Sequence, residues 1–300
     1  MKILIIGSDG QDGRILSEIS SLHEVTKTTR RKGYDENSVF IDLTKPAEIY
    51  QFLINNRFDY IYYCAAVNGS EGYEYESQID SSYFVNVVGV NQCLQALAER
   101  RAKDRFIYFN SGKAFDKNLS RIDENSSRVN TGIYELQKNT AYELIKIYRK
   151  KYGLNLSNVW LFNHESSYRA KSYFSAKVTD FIVDFKMGNR RTRKLTLKNL
   201  NFHLDWGDAY EYMKIVQEIG MRQCADYILA TGENTNANSL VRNLFNDYCI
   251  PEDLLEIEES TQHQYAPTID ISKLRMLIGR SPARNALQTF RSIIDIKLSS

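Results

Sequence analysis

Tyr134 and Lys138 stand four residues apart in "YELQK". In a helix that spacing places both side chains on one face. A lysine ammonium beside a phenol lowers the phenol's pKa, so Tyr134 can serve as acid or base near neutral pH. Ser111 lies upstream in "YFNSG", at the end of an apolar run. Its hydroxyl can hold a carbonyl or alkoxide oxygen beside Tyr134. A Tyr-x-x-x-Lys pair is weak evidence in a chain with 20 tyrosines, and a surface pair on an amphipathic helix is the plain alternative. The order along the chain, with Ser111 ending the preceding apolar run, favours the catalytic reading.

A second constellation opens the chain. "KILIIGSDGQDGRIL", residues 2–16, passes from an apolar run to a helical pattern through Gly7, Gly10 and Gly13. Glycines at such a turn permit positive φ and let the backbone approach a pyrophosphate, whose charge is stabilised by helix N–H groups. Asp9, Gln11 and Asp12 complete this candidate cofactor loop; a tight turn without a ligand is the alternative. Sheets that bind NAD usually carry an acid at the end of the second strand, to hold the ribose hydroxyls. Here the chain reads "TTRRKG". Arg30 and Arg31 can pair with a 2′-phosphate, so NADP(H) is expected in preference to NAD(H); the competing reading is a solvated charge cluster. Asp42 and Leu43 fall where an adenine is gripped. Cys64, Ala65 and Ala66 end the fourth strand with small residues, as a nearby dinucleotide requires.

The elements that must position these groups are legible as alternation. Strands are expected at "KILIIG", "EVTKTTRR", "SVFIDL", "FDYIYYCAA", "RFIYFNS" and "LNLSNVWLFN", with helical patterns between them. Apolar strands alternating with helices predict an α/β fold with a parallel sheet covered on both faces. The expected fold is a Rossmann-type doubly wound sheet over residues 1–163, with contributions from 200–232. Residues 164–300 are expected to form a smaller, discontinuous substrate lobe. In that part "SYFSAKVTDFIVDFKMG", "DWGDAYEYMKIVQEIG" and "SLVRNLFNDYC" read as helices, and "DYILATG" reads as a strand.

Bulk properties exclude several classes. The 300 residues hold 39 Lys plus Arg against 37 Asp plus Glu. That balance gives no support to nucleic-acid binding. The four cysteines, Cys64, Cys93, Cys224 and Cys249, form no C-x-x-C pair. No metal site or disulfide framework is expected, and the pattern suits a reducing cytoplasm. The apolar core of the N-terminus is too short for a signal peptide. No stretch approaches the roughly 18 apolar residues of a membrane span, so no membrane partner is expected.

The glycine loop, Ser111 and Tyr134-x-x-x-Lys138 together resemble the extended short-chain dehydrogenase/reductase family, also called the NAD-dependent epimerase/dehydratase family. Within it, "GSDGQDG", "RR", "DLT", "CAA", "LFNHES" (161–166), "DWGDA" (205–209) and "ILATG" (228–232) resemble the GDP-mannose 4,6-dehydratases. The likeness covers roughly residues 1 to 245. It implies transient oxidation at carbon 4 of a nucleotide-bound sugar, with NADP or NAD held in the sheet. It also implies cofactor contacts by His164 and Arg169, and sugar-nucleotide contacts by Asn163 and Lys177. Relatives pair the two long helices near 82–102 and 134–151 across a two-fold axis. A homodimer or homotetramer is therefore expected.

The chain also departs from that resemblance. The dehydratases follow the hydroxyl residue with Ser/Asp and then Glu, which takes the proton from carbon 5. Here Gly112 and Lys113 stand in those places. A lysine is a cation at neutral pH and a poor substitute base. Loss of a positioned base should slow elimination by about 10²–10⁴-fold. Leu204 replaces an arginine before Asp-Trp-Gly, and the later RP-x-E segment is missing, with "HQYAPTIDISKL" (263–274) in its place. The basic run 190–194 offers a replacement phosphate grip or is a solvated loop. The expected function is NADP-dependent hydride transfer at carbon 4 of a nucleotide sugar, with a GDP-hexose favoured, as 4-ketoreductase or epimerase. Lys113 would then face the substrate. The alternatives are a true dehydratase with a recruited base, such as Glu165 or Asp116, and a non-catalytic NADP-binding sensor or scaffold.

Overall fold

The computed structural model describes residues 1–30, 37–68, 78–189, 194–258 and 266–299. Arg31, residues 190–193 of the basic run and residues 263–265 of the expected phosphate-anchor region lie outside the described residues. The first part of the chain alternates strands and helices: β1 (Lys2–Ile6), α1 (Gln11–Ile19), β2 (Glu24–Thr29), β3 (Ser38–Phe40), α2 (Ala47–Asn55), β4 (Tyr60–Tyr63), α3 (Ile79–Tyr83), α4 (Gly89–Glu99), β5 (Arg105–Ser111), β6 (Arg121–Ile122), α5 (Ile133–Tyr152) and β7 (Asn155–Leu161). It continues with β8 (Asn163–Glu165), α6 (Phe174–Lys186), β9 (Leu195–Leu197), β10 (His203–Asp208), α7 (Ala209–Met221), β11 (Asp226–Leu229), β12 (Asn234–Asn236), α8 (Ala237–Asp247), β13 (Leu255–Ile257), β14 (Thr268–Ile269), α9 (Ser272–Ile278) and α10 (Ala286–Leu298).

Seven strands form one sheet in the order β3-β2-β1-β4-β5-β7-β11. Every neighbouring pair is parallel. The apolar runs are continuous because both sheet faces are covered. In β1, Ile3 and Ile5 enter one core while Leu4 and Ile6 enter the core on the opposite face. A third core gathers Val178, Ile182, Trp206, Leu240, Leu244 and Phe290 from α6, β10, α8 and α10. The strand order reverses between β1 and β4, and in such sheets ligands bind outside the carboxyl ends at that reversal. The fold is thus the α/β doubly wound sheet that the alternation predicts.

Two elements differ from the sequence reading. The long helix expected near 82–102 is α3 and α4 joined by a π turn over Phe84–Val88. That turn seats buried Asn86, whose amide donates to the Val67 carbonyl and to Gln137 Oε1. Gln137 in turn donates to Ser82 Oγ at 2.8 Å. The segment 205–208, helical by its pattern, is instead the end of β10, paired with β8. The helix begins at Ala209, because the Asp208 side chain accepts from the Glu211 backbone N–H and caps α7. Among the described residues, no helix is long and apolar enough to cross a membrane.

Candidate active site

Ser111 closes β5 at the carboxyl edge of the sheet, and Tyr134 and Lys138 lie on α5. Lys138 is 3% exposed, and its ammonium donates to the Phe109 carbonyl of β5 at 2.7 Å. That bond ties the helix bearing both residues to the strand that ends in Ser111. The same ammonium lies 5.8 Å from the Tyr134 ring centroid and 4.7 Å from that of Tyr108. Burial pushes the Lys138 pKa down to about 7, against partial opposition from the Asp12 carboxylate. Tyr134 is itself buried.

Lys113 lies at the same distance from that phenol ring. Its ammonium lies 5.8 Å from the Tyr134 ring centroid, and its backbone N–H donates to Ser111 Oγ at 3.2 Å. Although the residue is largely exposed, desolvation at the ammonium end holds its pKa below the ordinary lysine range; the cations of Lys117 and Arg169 push the same way. Gly112 is required by packing. A Cβ there would lie 2.9 Å from the Phe162 ring.

The glycine loop sits at the strand reversal. Gly7 has φ +96°, and a Cβ on it would fall 2.5 Å from the Ala65 nitrogen. A Cβ on Gly13 would fall 2.4 Å from the Gly7 carbonyl oxygen. Gly10 has more room, its nearest such neighbour being 3.7 Å away. The loop is therefore drawn tightly against the end of β4, next to Cys64 and Ala65. Gly10 is the N-cap of α1 and supplies no side-chain acceptor, so the N–H groups of this first turn are left for an anion or water. Such a cradle fits a diphosphate. Gly13→Ala is expected to force the loop apart and destabilise the fold by about 1–3 kcal/mol, read by thermal denaturation. An unchanged melting temperature would contradict this packing.

The polar residues of the loop turn towards the protein. Asp9 accepts from the Thr29 hydroxyl with both oxygens, at 3.0 and 2.8 Å. Gln11 donates to the His164 carbonyl and accepts from Ser166 Oγ. Asp12 pairs with His164 Nε2 at 3.0 Å, while His164 Nδ1 meets the Phe162 carbonyl at 2.6 Å. The His164 ring stacks on Tyr212 at 5.3 Å. Tyr212 fills the space over Gly207, where a Cβ would lie 2.2 Å from its ring. "GQDG", "NHES" and "DWGDA" thus interlock beneath the cradle. The chain offered no signal for this, since the partners are about 150 residues apart in sequence.

Burial opposes charge on His164, but the charge and hydrogen bond of Asp12 outweigh it and hold the imidazole above its ordinary 6.5. Burial likewise opposes charge on Asp12, yet His164, Gln11 and Arg169 leave it below its ordinary 3.8. The pair therefore stabilises the fold most between those two values. It weakens as acid protonates Asp12, and as pH rises through the elevated His164 pKa. Asp12→Asn should cost about 1–3 kcal/mol near pH 5 and less above pH 8, measured by denaturant titration. A pH-independent loss would contradict an ion pair.

The other expected site residues are placed as follows. Arg30 is exposed at the end of β2, and its charge reaches Asp42. Asp42 accepts from the Thr44 hydroxyl at 2.7 Å, which chiefly holds its carboxyl below the usual range, and Leu43 beside it is buried. Ala66 is exposed just beyond β4. Arg169 stacks on Tyr173 at 4.0 Å and pairs with buried Glu165 at 3.1 Å. Glu165 also accepts from Ser175 at 2.5 Å, so its carboxylate is engaged by both Ser175 and Arg169. Asn163 opens β8, and Lys177 lies in the first turn of α6. Sequence reasoning missed Asp205, which is buried. Its carboxylate accepts from the backbone of Thr231 and Gly232, and burial raises its pKa to about 6 despite those bonds.

Comparison with known proteins gives the family and the fold. A 115-residue segment is 34% identical to GDP-mannose 4,6-dehydratase of Sinorhizobium fredii, covering 38% of this chain and 32% of that enzyme. The chain thus spans about a third of that relative's length, and 47% of GDP-mannose 4,6-dehydratase sdnI of Sordaria araneosa, to which it is 24% identical. The corresponding Yersinia enterocolitica enzyme is 26% identical over 273 residues, covering 80% of this chain and 70% of the relative. The fold is shared by RMD from Pseudomonas aeruginosa complexed with NADPH, at a TM-score of 0.83 with 18% identity, covering 100% and 99% of the two chains. The UDP-glucose 4-epimerase of Thermus thermophilus, complexed with NAD, shares it at a TM-score of 0.81 with 14% identity and 99% coverage of both. The model of the NAD dependent epimerase/dehydratase family matches residues 3–219. The chain belongs to that family.

Proposed function

We propose that this protein is a nicotinamide-dinucleotide-dependent enzyme that transfers hydride at carbon 4 of a nucleotide-linked hexose without loss of water, as a 4-ketoreductase or 4-epimerase. The observation that carries this reading is the pair of lysines around Tyr134. Buried Lys138 bonds to β5 and lies near the phenol ring, and Lys113, a second lysine, lies equally near it. The first arrangement serves proton transfer to and from an oxygen. The second leaves no carboxylate base immediately after Ser111 to take a proton from carbon.

Gly7, Gly10, Gly13 and the start of α1 would hold the cofactor diphosphate. Ala65 and Leu43 would wall the adenine side, and Arg30 favours NADP over NAD. When bound, the nicotinamide supplies or accepts the hydride. Ser111 Oγ would hold the oxygen on carbon 4, and Tyr134 Oη would give that oxygen its proton in reduction or take it in oxidation. Lys138 would keep the phenol acidic enough to do so and hold the ribose. The lobe built on the third core would take the nucleotide sugar, with Asn163 and Lys177 towards it. A GDP-linked hexose is the favoured substrate, given the GDP-mannose 4,6-dehydratase relatives.

The test supplies the full chain with deuterium-labelled NADPH and a GDP-linked 4-keto sugar, and follows the product by mass spectrometry. Deuterium at carbon 4 with oxygen content unchanged is the expected result. Conversion of GDP-mannose to a dehydrated 4-keto-6-deoxy sugar would overturn it in favour of a dehydratase. No reaction with any nucleotide sugar would favour a non-catalytic NADP-binding role.

A further inference from the structure

The described residues leave Lys113 and Lys117 without an ion-pair partner, and the charge on Lys117 acts against the charge on Lys113. Arg169 adds a third cation, but Glu165 already neutralises it. Glu135 acts on Lys113 in the opposite sense, without reaching ion-pair distance. Crowded like charges at the mouth of a cleft raise the local concentration of anions and gain most when an anion joins them. The position of Lys113 says where that anion lies. Its backbone is bonded to Ser111 Oγ, and its ammonium faces the Tyr134 ring. It therefore stands at the reacting end of the substrate.

Two anionic groups are available on a nucleotide sugar. The diphosphate is attached at carbon 1, across the pyranose ring from carbon 4. A substituent on carbon 5 is only two bonds from carbon 4, and its terminal carbon 6 falls within reach of a side chain beside Tyr134. We propose that Lys113 recognises a carboxylate at carbon 6, so that the substrate class is a nucleotide-linked hexuronate. This rests on the reading that carbon 4 reacts at Ser111 and Tyr134. Lys113 is thereby a specificity-determining residue.

The experiment measures binding to the cofactor-loaded full chain by calorimetry. The probes are GDP, GDP-mannose, GDP-mannuronate, UDP-glucose and UDP-glucuronate. The expected result is that, in the nucleotide series that binds, the hexuronate binds about tenfold or more tightly than the neutral hexose. Lys113→Gln should abolish that preference, and Lys113→Arg should retain it. A thermal melt of each variant confirms that the fold is intact. Equal binding of hexuronate and hexose overturns the proposal and leaves the nucleotide-sugar reading standing. So does an equal loss of GDP affinity in Lys113→Gln, which would assign the lysine to the diphosphate. Binding of none of the nucleotide sugars overturns both.

Discussion

Replacing Tyr134 by phenylalanine is expected to lower turnover by about 10²–10⁴-fold, the range supplied by a positioned acid–base group. The expectation is specific because the variant removes one oxygen and keeps the ring. The Tyr134 ring is buried, and two ammonium groups each lie 5.8 Å from its centroid. Phenylalanine preserves that packing and the α5 helix around it. Dinucleotide affinity should therefore change little, while the rate of nicotinamide oxidation falls. Unchanged turnover would remove Tyr134 from the chemistry. A parallel loss of dinucleotide binding would assign it a role in holding the cofactor instead.

Lys138→Met should separate catalysis from stability more sharply. Activity is expected to fall by about 10²–10⁴-fold, because the phenol loses the neighbouring cation that favours its ionised form. Stability should respond in a pH-dependent way. The folded Lys138 titrates at about 7, while the unfolded side chain keeps its ordinary 10.5. Between those values the unfolded chain binds more protons, so this residue makes stability rise with pH across that window. At and below pH 7 the buried cation opposes folding. Methionine removes the charge and keeps most of the apolar stem, although the Phe109 carbonyl loses its donor. Relative to the variant, the wild-type protein should gain on the order of a few kcal/mol from pH 7 to pH 10. Urea titrations of both proteins at the two pH values measure the difference. A constant difference would show that Lys138 is not desolvated in the folded chain.

The two results would test different layers of the same site. Tyr134 and Lys138 are legible as a pair because an i, i+4 spacing is a local property of a helix. Their joint position against β5 is legible only in outline. The bond from Lys138 to Phe109 depends on how closely α5 packs on the sheet, which no local pattern encodes. The same contrast holds at the cofactor loop. Gly7, Gly10 and Gly13 announce a cradle, and the structure adds why two of them tolerate no side chain: Ala65 and the loop's own backbone fill the space. Gln11, Asp12 and His164 read as cofactor contacts in the sequence. Their side chains are engaged with each other and with Ser166, so they hold the loop in place from beneath.

By itself, the sequence determined the alternation of buried strands and helices, the place of the glycine turn, the strand-end position of Ser111 and the shared helix of Tyr134 and Lys138. Each depends on residues within a few positions of one another, or on a hydrophobic period that survives without its partners. Tertiary structure decided the rest. It ended β10 at Asp208, because pairing with β8 and the cap on α7 outweigh the helical pattern of 205–208. It joined "GQDG" to "NHES" through Asp12 and His164, and seated Tyr212 on Gly207. It also left Lys113 facing Tyr134 without a carboxylate partner among the described residues. These are contacts between segments far apart in sequence. Packing and charge select them only once the sheet has brought those segments to one edge.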